Sequence, residues 1–368
     1  MKRFSALLAV LSVVSPVFAR PIGDTLTVIM RPILGLPAFC AAGETLDVVA
    51  SAPPSAAGWS VELLRAPRAF PLAVSIASRD KVTQLWTLRV PVPSEVPEEL
   101  YDLAVHATGG IADTTLRAVK VLAEYEDQWY FAQVTDTHLP GHKYYGSRGW
   151  EADSTEEADF RAVIDDLNLI APEFVLLTGD FINEGELEDQ NEYRAYSRAQ
   201  RVLLELEVPV FLIAGNHDIG GWTTTPPPDG TARRNWWRFF GWPHLDDPPD
   251  GVTTQDYFFD YGPVRFVGLE SYYNYDGWRR ATYGSTSFRS HQLDFLRAAV
   301  AGRPRGGGGP SPSITTTSPA RSAIRPGGES ISSCSDTSIG TPGRLRARGR
   351  RSRPKRARTG TALTGSSG

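Results

Sequence analysis

Three apolar runs constrain this chain more than any other feature, because each stops at a short polar motif. "WYFAQV" runs into Asp136-Thr137-His138, "FVLLT" into Gly179-Asp180, and "VPVFLIA" into Gly215-Asn216-His217-Asp218. Between the first two, "STEEADFRAVIDDLNLIAPE" sets Phe160, Val163, Ile164, Leu167 and Ile170 at helical spacing, with Ser154 and Glu157 spaced as a capping box. A second helical pattern, "YRAYSRAQRVLLELE", precedes the third run, and "VRFVGLES" and "SHQLDFLRAAVAG" continue the alternation. Buried strands separated by amphipathic helices predict an α/β domain whose strand ends gather at one edge, where such folds place their sites.

Upstream of this alternation the pattern is different. From Asp24 to about Glu124 the chain offers seven short strand-like runs, from "TLTVIM" to "TLRAVKVLAEY", with turn residues between them and no long helical period. That predicts an all-β sandwich of immunoglobulin-like type over residues 20–124. Residues 1–19, "MKRFSALLAVLSVVSPVFA", combine Lys2 and Arg3, an apolar run and small residues before a cut after Ala19. This is the layout of a cleaved signal peptide, so a secreted or periplasmic location is expected, with no membrane span afterwards. Only Cys40 and Cys334 occur, and no disulfide between them is expected.

The three polar motifs suit metal chemistry. Carboxylate, imidazole and amide oxygens at adjoining strand ends match borderline or hard divalent cations, and a carboxylate such as Asp180 can bridge two of them. Glycines before Asp180 and Asn216 let the backbone turn sharply there. His106 lies in a strand-like run and is expected to be structural. His142 is near enough in sequence to touch a substrate, whereas His244 and His291 are not expected to be ligands. The Trp- and Arg-rich stretch after the third motif, residues 220–251, is expected to pack against the neighbouring domain or to shape the entrance.

From Trp129 to Gly302 the chain resembles the calcineurin-like metallophosphoesterase superfamily, through "FAQVTDTH", "GD", "GNHD" and "FRSHQLDFLRAAVAG". The resemblance implies an α/β/β/α sandwich over residues 125–302. It implies that Asp136 and His138 hold one metal, Asn216 the other, and that Asp180 bridges them. It makes His217 the acid at the leaving group, with Asp218 orienting it. Two divalent ions, Mn, Fe or Zn, would clamp the phosphoryl oxygens and activate a water for in-line attack. Purple acid phosphatases carry a Tyr three residues after the bridging Asp; Asn183 stands there, so a tyrosinate-bound ferric site is not expected.

The family pattern also needs a His after a further strand and then G-H-x-H. No histidine follows His291. Instead, residues 303–368 are rich in Ser, Pro, Gly and Arg, with thirteen Lys and Arg against only Glu329 and Asp336 up to residue 358. One frame over, the codons of "SITTTSPA" permit His-His-Tyr-Asp-Phe-Ala-Gly, and those of "SISSCSDTSI" permit an apolar strand followed by G-H-x-H. The expectation is therefore a frame change near "GRPRGGGGP" and a phosphoesterase domain incomplete as it stands, possessing a phosphoester as substrate and no specific nucleic-acid partner. The other reading is a non-catalytic, phosphoesterase-like binding protein with a disordered basic tail.

Overall fold

The computed structural model describes residues 25–141, 156–185, 188, 194–220, 231–241, 255–270, 288, 290–301, 314–316 and 332–333. All of them fall in one compact unit, Met1–Asp336. His142, His244, Ser154 of the expected capping box, the expected signal peptide and most of the basic tail lie outside the described residues.

Nine strands occupy the N-terminal part: β1 (Ile29–Arg31), β2 (Ala38–Ala41), β3 (Thr45–Ala50), β4 (Ser60–Arg65), β5 (Arg68–Leu72), β6 (Ile76–Arg79), β7 (Trp86–Pro91), β8 (Glu99–Ala107) and β9 (Ile111–Leu122). They make two sheets, of order β1-β3-β7-β6 and β2-β9-β8-β4-β5. The all-β expectation holds at this level. Two strands beyond the seven runs arise for local reasons. "PLAVSIAS" breaks into the end of β5 and the whole of β6, and β2 is a four-residue strand with too short an alternation to show in sequence. Strict inside–outside alternation, as in β3 with Leu46, Val48 and Ala50 buried, turns one face of each sheet into the core.

The α/β part begins with β10 (Ala132–Val134), followed by α1 (Glu156–Ile170), β11 (Val175–Thr178), α2 (Ala195–Leu203), β12 (Val210–Ile213), α3 (Asn216–Ile219) and α4 (Thr231–Phe240). A hairpin of β13 (Tyr257–Tyr261) and β14 (Val264–Leu269) leads to α5 (Ser290–Ala301), and two short strands follow, β15 (Ile314–Thr316) and β16 (Ser332–Ser333). β10, β11 and β12 form a parallel sheet in that order. β13, β14, β15 and β16 form a second, in which β15 adds parallel to β14 and β16 parallel to β15.

Period two explains the layering. Val175, Leu177, Val210 and Leu212 face Phe160, Ile164 and Leu167 of α1 and Ala199, Val202 and Leu203 of α2. Their neighbours Phe174, Leu176, Phe211 and Ile213 point the other way, onto Tyr257, Tyr261 and Phe266 of the second sheet. The outer face of that sheet, Val267 and Leu269, is covered by Ala299 of α5. The layers thus run helix, sheet, sheet, helix. On α1 only Phe160, Ile164 and Leu167 are buried; Val163 and Ile170, expected on the same face, sit on its flank and are exposed, because their helical angle carries them away from the sheet.

The N-terminal sandwich shares its core with the α/β part. Phe39 of β2 meets Phe174, Phe211 and Tyr261 with ring centroids 5.7, 5.8 and 5.1 Å apart. The turn before β2 also docks on the edge of β12, where Leu212 N donates to Gly35 O at 2.8 Å. The Trp- and Arg-rich stretch contributes α4, which packs: Trp236, Phe239 and Phe240 surround Tyr196, and Leu26 N donates to Arg238 O at 2.8 Å.

Candidate metal centre

The parallel pairing of β10 and β11 continues past the ends of both strands, and this brings the first two motifs together. Asp136 N donates to Gly179 O at 3.1 Å, His138 N to Asp180 O at 2.9 Å, and Leu139 N to Phe181 O at 3.0 Å. Asp136, His138 and Asp180 all have left-handed backbone, with φ of 56°, 45° and 47°. Three non-glycine residues in that region within one site are strain that the surrounding hydrogen bonds hold in place, a pattern found where function fixes side-chain direction.

The third motif closes on the second from β12. Gly215 is required by close approach: a Cβ there would lie 2.4 Å from both the nitrogen and a carboxylate oxygen of Asp180. With that contact open, His217 N donates to Asp180 Oδ1 at 2.8 Å. The other oxygen, Oδ2, lies 3.8 Å from His138 Nε2, and Asp136 Oδ1 lies 3.7 Å from the same nitrogen. The ligand atoms of His138, Asp180 and His217 lie within 4.8 Å of one another. The Asp180 side chain is 4% exposed and that of Asp136 36%, so the site opens from a buried floor to a wetter rim.

The chemistry of this donor set fits divalent cations. Nitrogen and oxygen at 3.7–3.8 Å are beyond hydrogen-bond reach but suit two atoms on one ion, each about 2.0–2.2 Å from it. Of the residues expected as ligands, Asp136, His138 and Asp180 meet; Asn216 opens α3 at the same strand end and is half-buried. His217, expected as an acid and not a ligand, belongs to the same cluster, its ring 4.7 Å from that of His138.

Asp218 departs from expectation. Its carboxylate does not hold the imidazole; it accepts from the backbone nitrogens of Gly215, Ile182 and Phe181 at 2.8, 3.0 and 3.2 Å. It clamps the second and third motif loops to each other from beneath. Full burial and then the nearby Asp180 push its carboxyl well above the usual range, against the pull of those three amides. The group that orients His217 is a backbone carbonyl, Asn183 O, 2.6 Å from Nδ1. A carbonyl only accepts, so the proton sits on Nδ1. No side-chain identity encodes that contact, which is why sequence reasoning missed it.

Residues 130–311 match the sequence profile of the family described as calcineurin-like phosphoesterase. No curated protein matches the chain. Among solved structures, a purple acid phosphatase from yellow lupin (Lupinus luteus) seeds is similar at 13% identity and a TM-score of 0.37, over 74% of this chain and 48% of that one. A dimetal phosphatase from Danio rerio is similar at 15% identity and a TM-score of 0.35, over 50% of this chain and 68% of that one. The chain therefore spans about half the length of the lupin protein.

Proposed function

Over residues 130–311 the chain belongs to the calcineurin-like phosphoesterase family, and on that premise we propose that it is an exported hydrolase of phosphoesters that depends on two divalent cations. The observation that carries this reading is the gathering of His138, Asp180 and His217 within 4.8 Å at three strand ends, with left-handed backbone at Asp136, His138 and Asp180 on the first two. Asp136, His138 and Asp180 would hold one cation, with Asp180 and Asn216 reaching the other. Bound cations would supply Lewis-acid polarisation of a phosphoryl group.

The chain's own residues do the rest. Asp180 is fixed through its backbone by His138 and through Oδ1 by the amide of His217, so its carboxylate cannot swing away. With Nδ1 committed to Asn183 O, Nε2 is the nitrogen of His217 with which the ring protonates a departing oxygen. Asp218 keeps the two loops in register beneath. In this reading Asp218 is a positioning residue for the loops and His217 the catalytic acid.

The two packed sheets of residues 29–122 support an immunoglobulin-like sandwich. Lys2, Arg3 and the apolar run up to Ala19 support cleavage and a secreted or periplasmic location. The placement of residues 314–316 beside β14 and of 332–333 beside 314–316 as parallel strands supports the frame change, since the shifted reading puts a His-containing strand end in the first segment and an apolar strand in the second.

The test is metal content and turnover on the purified chain with its frame restored, because the chain as it stands lacks the last histidines of the family pattern. Manganese or zinc binding by calorimetry, together with hydrolysis of aryl phosphate mono- and diesters, is expected to disappear in Asp180→Ala. Equal metal uptake by the parent and Asp180→Ala would sink the assignment of the centre.

A further inference from the structure

The loop that orients His217 is held from a helix outside all three motifs. We propose that Asn235, on α4, is a positioning residue for His217, an inference that rests on reading His217 as the proton donor. Asn235 Nδ2 donates to Gly185 O at 2.9 Å, and both residues are buried. Two residues earlier, Asn183 O takes the proton of His217 Nδ1 at 2.6 Å. The segment between them is short, so the place of the acceptor follows the place of Gly185.

Three further observations make this a constrained path. The carboxamide of Asn183 is fully buried and, among the described residues, neither of its polar atoms has a hydrogen-bond partner, so that side chain does not fix its own carbonyl. The loop is tied at both ends, by Asn183 N on Leu139 O at 3.0 Å and by Asn235 on Gly185 O. Gly185 is also pressed against the third motif. A Cβ there would lie 2.1 Å from Asp218 O, the carbonyl that accepts the Tyr196 hydroxyl.

Asn235 is a firm anchor because α4 is fixed on both sides of it. Arg233 pairs with Glu270, just past β14, and Glu270 Oε2 accepts Gln255 N at 2.8 Å. Trp236 Nε1 donates to Gln255 Oε1 at 2.7 Å. α4 thereby connects the second sheet to the loop that sets the imidazole. Without Asn235 the buried Gly185 carbonyl loses its donor and the loop its outer tie, and the Asn183 acceptor drifts from Nδ1. A backbone acceptor 2.6 Å from the ring selects one tautomer; a displaced one does not.

The experiment is long-range proton–nitrogen NMR of the full chain labelled at histidine, with exposed His106 of β8 as internal control. In the parent, His217 is expected as a single Nδ1-protonated tautomer, and the Asn235 side-chain amide exchanges slowly with solvent. Asn235→Ala, and Asn235→Leu as a second variant that keeps a branched side chain without an N–H, should lose that single tautomer while His106 is unmoved. An unchanged His217 signal in either folded variant overturns the proposal. So does a parent in which Nδ1 is unprotonated or the Asn235 amide exchanges as fast as an exposed one, and neither measurement needs a variant to fold. Turnover is a separate readout: kcat for esters with poor leaving groups should fall about tenfold or more at unchanged KM, as expected when a general acid is misaligned. Absence of turnover in the frame-restored parent sinks the hydrolase reading and leaves the tautomer result standing.

Discussion

At the β12 edge of the parallel sheet, Gly35 O accepts Leu212 N, and Phe39 lays its ring among Phe174, Phe211 and Tyr261. At the β10 edge, among the described residues, no strand pairs on the far side; Tyr130 and Phe131 are 54% and 39% exposed, and Val163 and Ile170 on the flank of α1 are exposed as well. Among the described residues, one edge of the sheet therefore has a neighbour and the other has none. The β12 edge is closed by residues from more than a hundred positions upstream, so the N-terminal sandwich acts as the missing neighbour of β12. Along the β10 edge the described residues leave apolar side chains partly exposed, a feature that folded proteins usually cover or charge.

The largest effect is expected where the edge is closed. Phe211 is buried and stacks on Phe259 with ring centroids 3.5 Å apart, while also meeting Phe39 and Phe174. Phe211→Ala should cost about 3–5 kcal/mol in denaturant unfolding, the usual range for emptying an aromatic site in a core. A cost below about 1 kcal/mol would show that the sandwich rests against the sheet without sharing its core. Gly35→Ala probes the same edge through the backbone. Its φ is +86°, and a Cβ would meet Leu212 Cδ1 at 2.7 Å. The left-handed strain and the displaced leucine together should cost about 1–3 kcal/mol in the same measurement.

This difference between the edges also marks where the sequence was readable. β10, β11 and β12, the three motif loops and α1 show in the order of residues, because burial on two faces and a 3.6-residue period each leave a pattern. Asp136, His138, Asp180 and His217 are brought together as their strand ends implied. The closing of the β12 edge was not readable: Gly35 acts through its carbonyl, and a turn glycine looks the same whether or not a strand lies beside it. The same reason hid Asn183 O behind His217 and assigned its task to Asp218, the nearest carboxylate in sequence. α4 looked like a Trp-rich packing element and is one, but the polar reach of Asn235 to Gly185 O depends on which helix face meets the loop.

Cys40, on β2 within the shared core, reports on the closed edge with a smaller effect. Burial first and Glu44 second push its thiol up to about 12. The folded state then keeps its proton when an unfolded thiol, near 8.5, has lost it. Stability is unaffected below that value and declines as pH climbs from there toward 12. At pH 8 a thiol reagent should leave Cys40 untouched in the folded chain and modify it rapidly in denaturant. Labelling of Cys40 at a rate close to that in denaturant would mean that the seam opens readily.

The smallest effect belongs to the β10 edge. Phe131→Ala, at a ring already 39% exposed, should change stability by less than about 1 kcal/mol. That modest number sharpens the comparison when set beside the gene. The residues that follow α5 are Ser-, Pro- and Arg-rich, whereas the frame-shifted reading permits apolar strands and histidines instead. If the shift is real, one base is gained or lost between about Ala299 and Pro312, or two of opposite sign are. A chain with the frame restored should then be more sensitive to Phe131→Ala, because its apolar strands would extend the second sheet beyond β14, whose Phe266 the Phe131 ring already meets at 5.5 Å. Nucleotide sequence decides the premise directly. A GAC codon at Asp336, with TCG at Ser335 and a codon ending in C at Ser338, spells G-H-x-H one frame over; GAT at Asp336, or AGC at Ser335, forbids it. In that event the basic tail belongs to the native chain, and the partly exposed Tyr130 and Phe131 need another explanation.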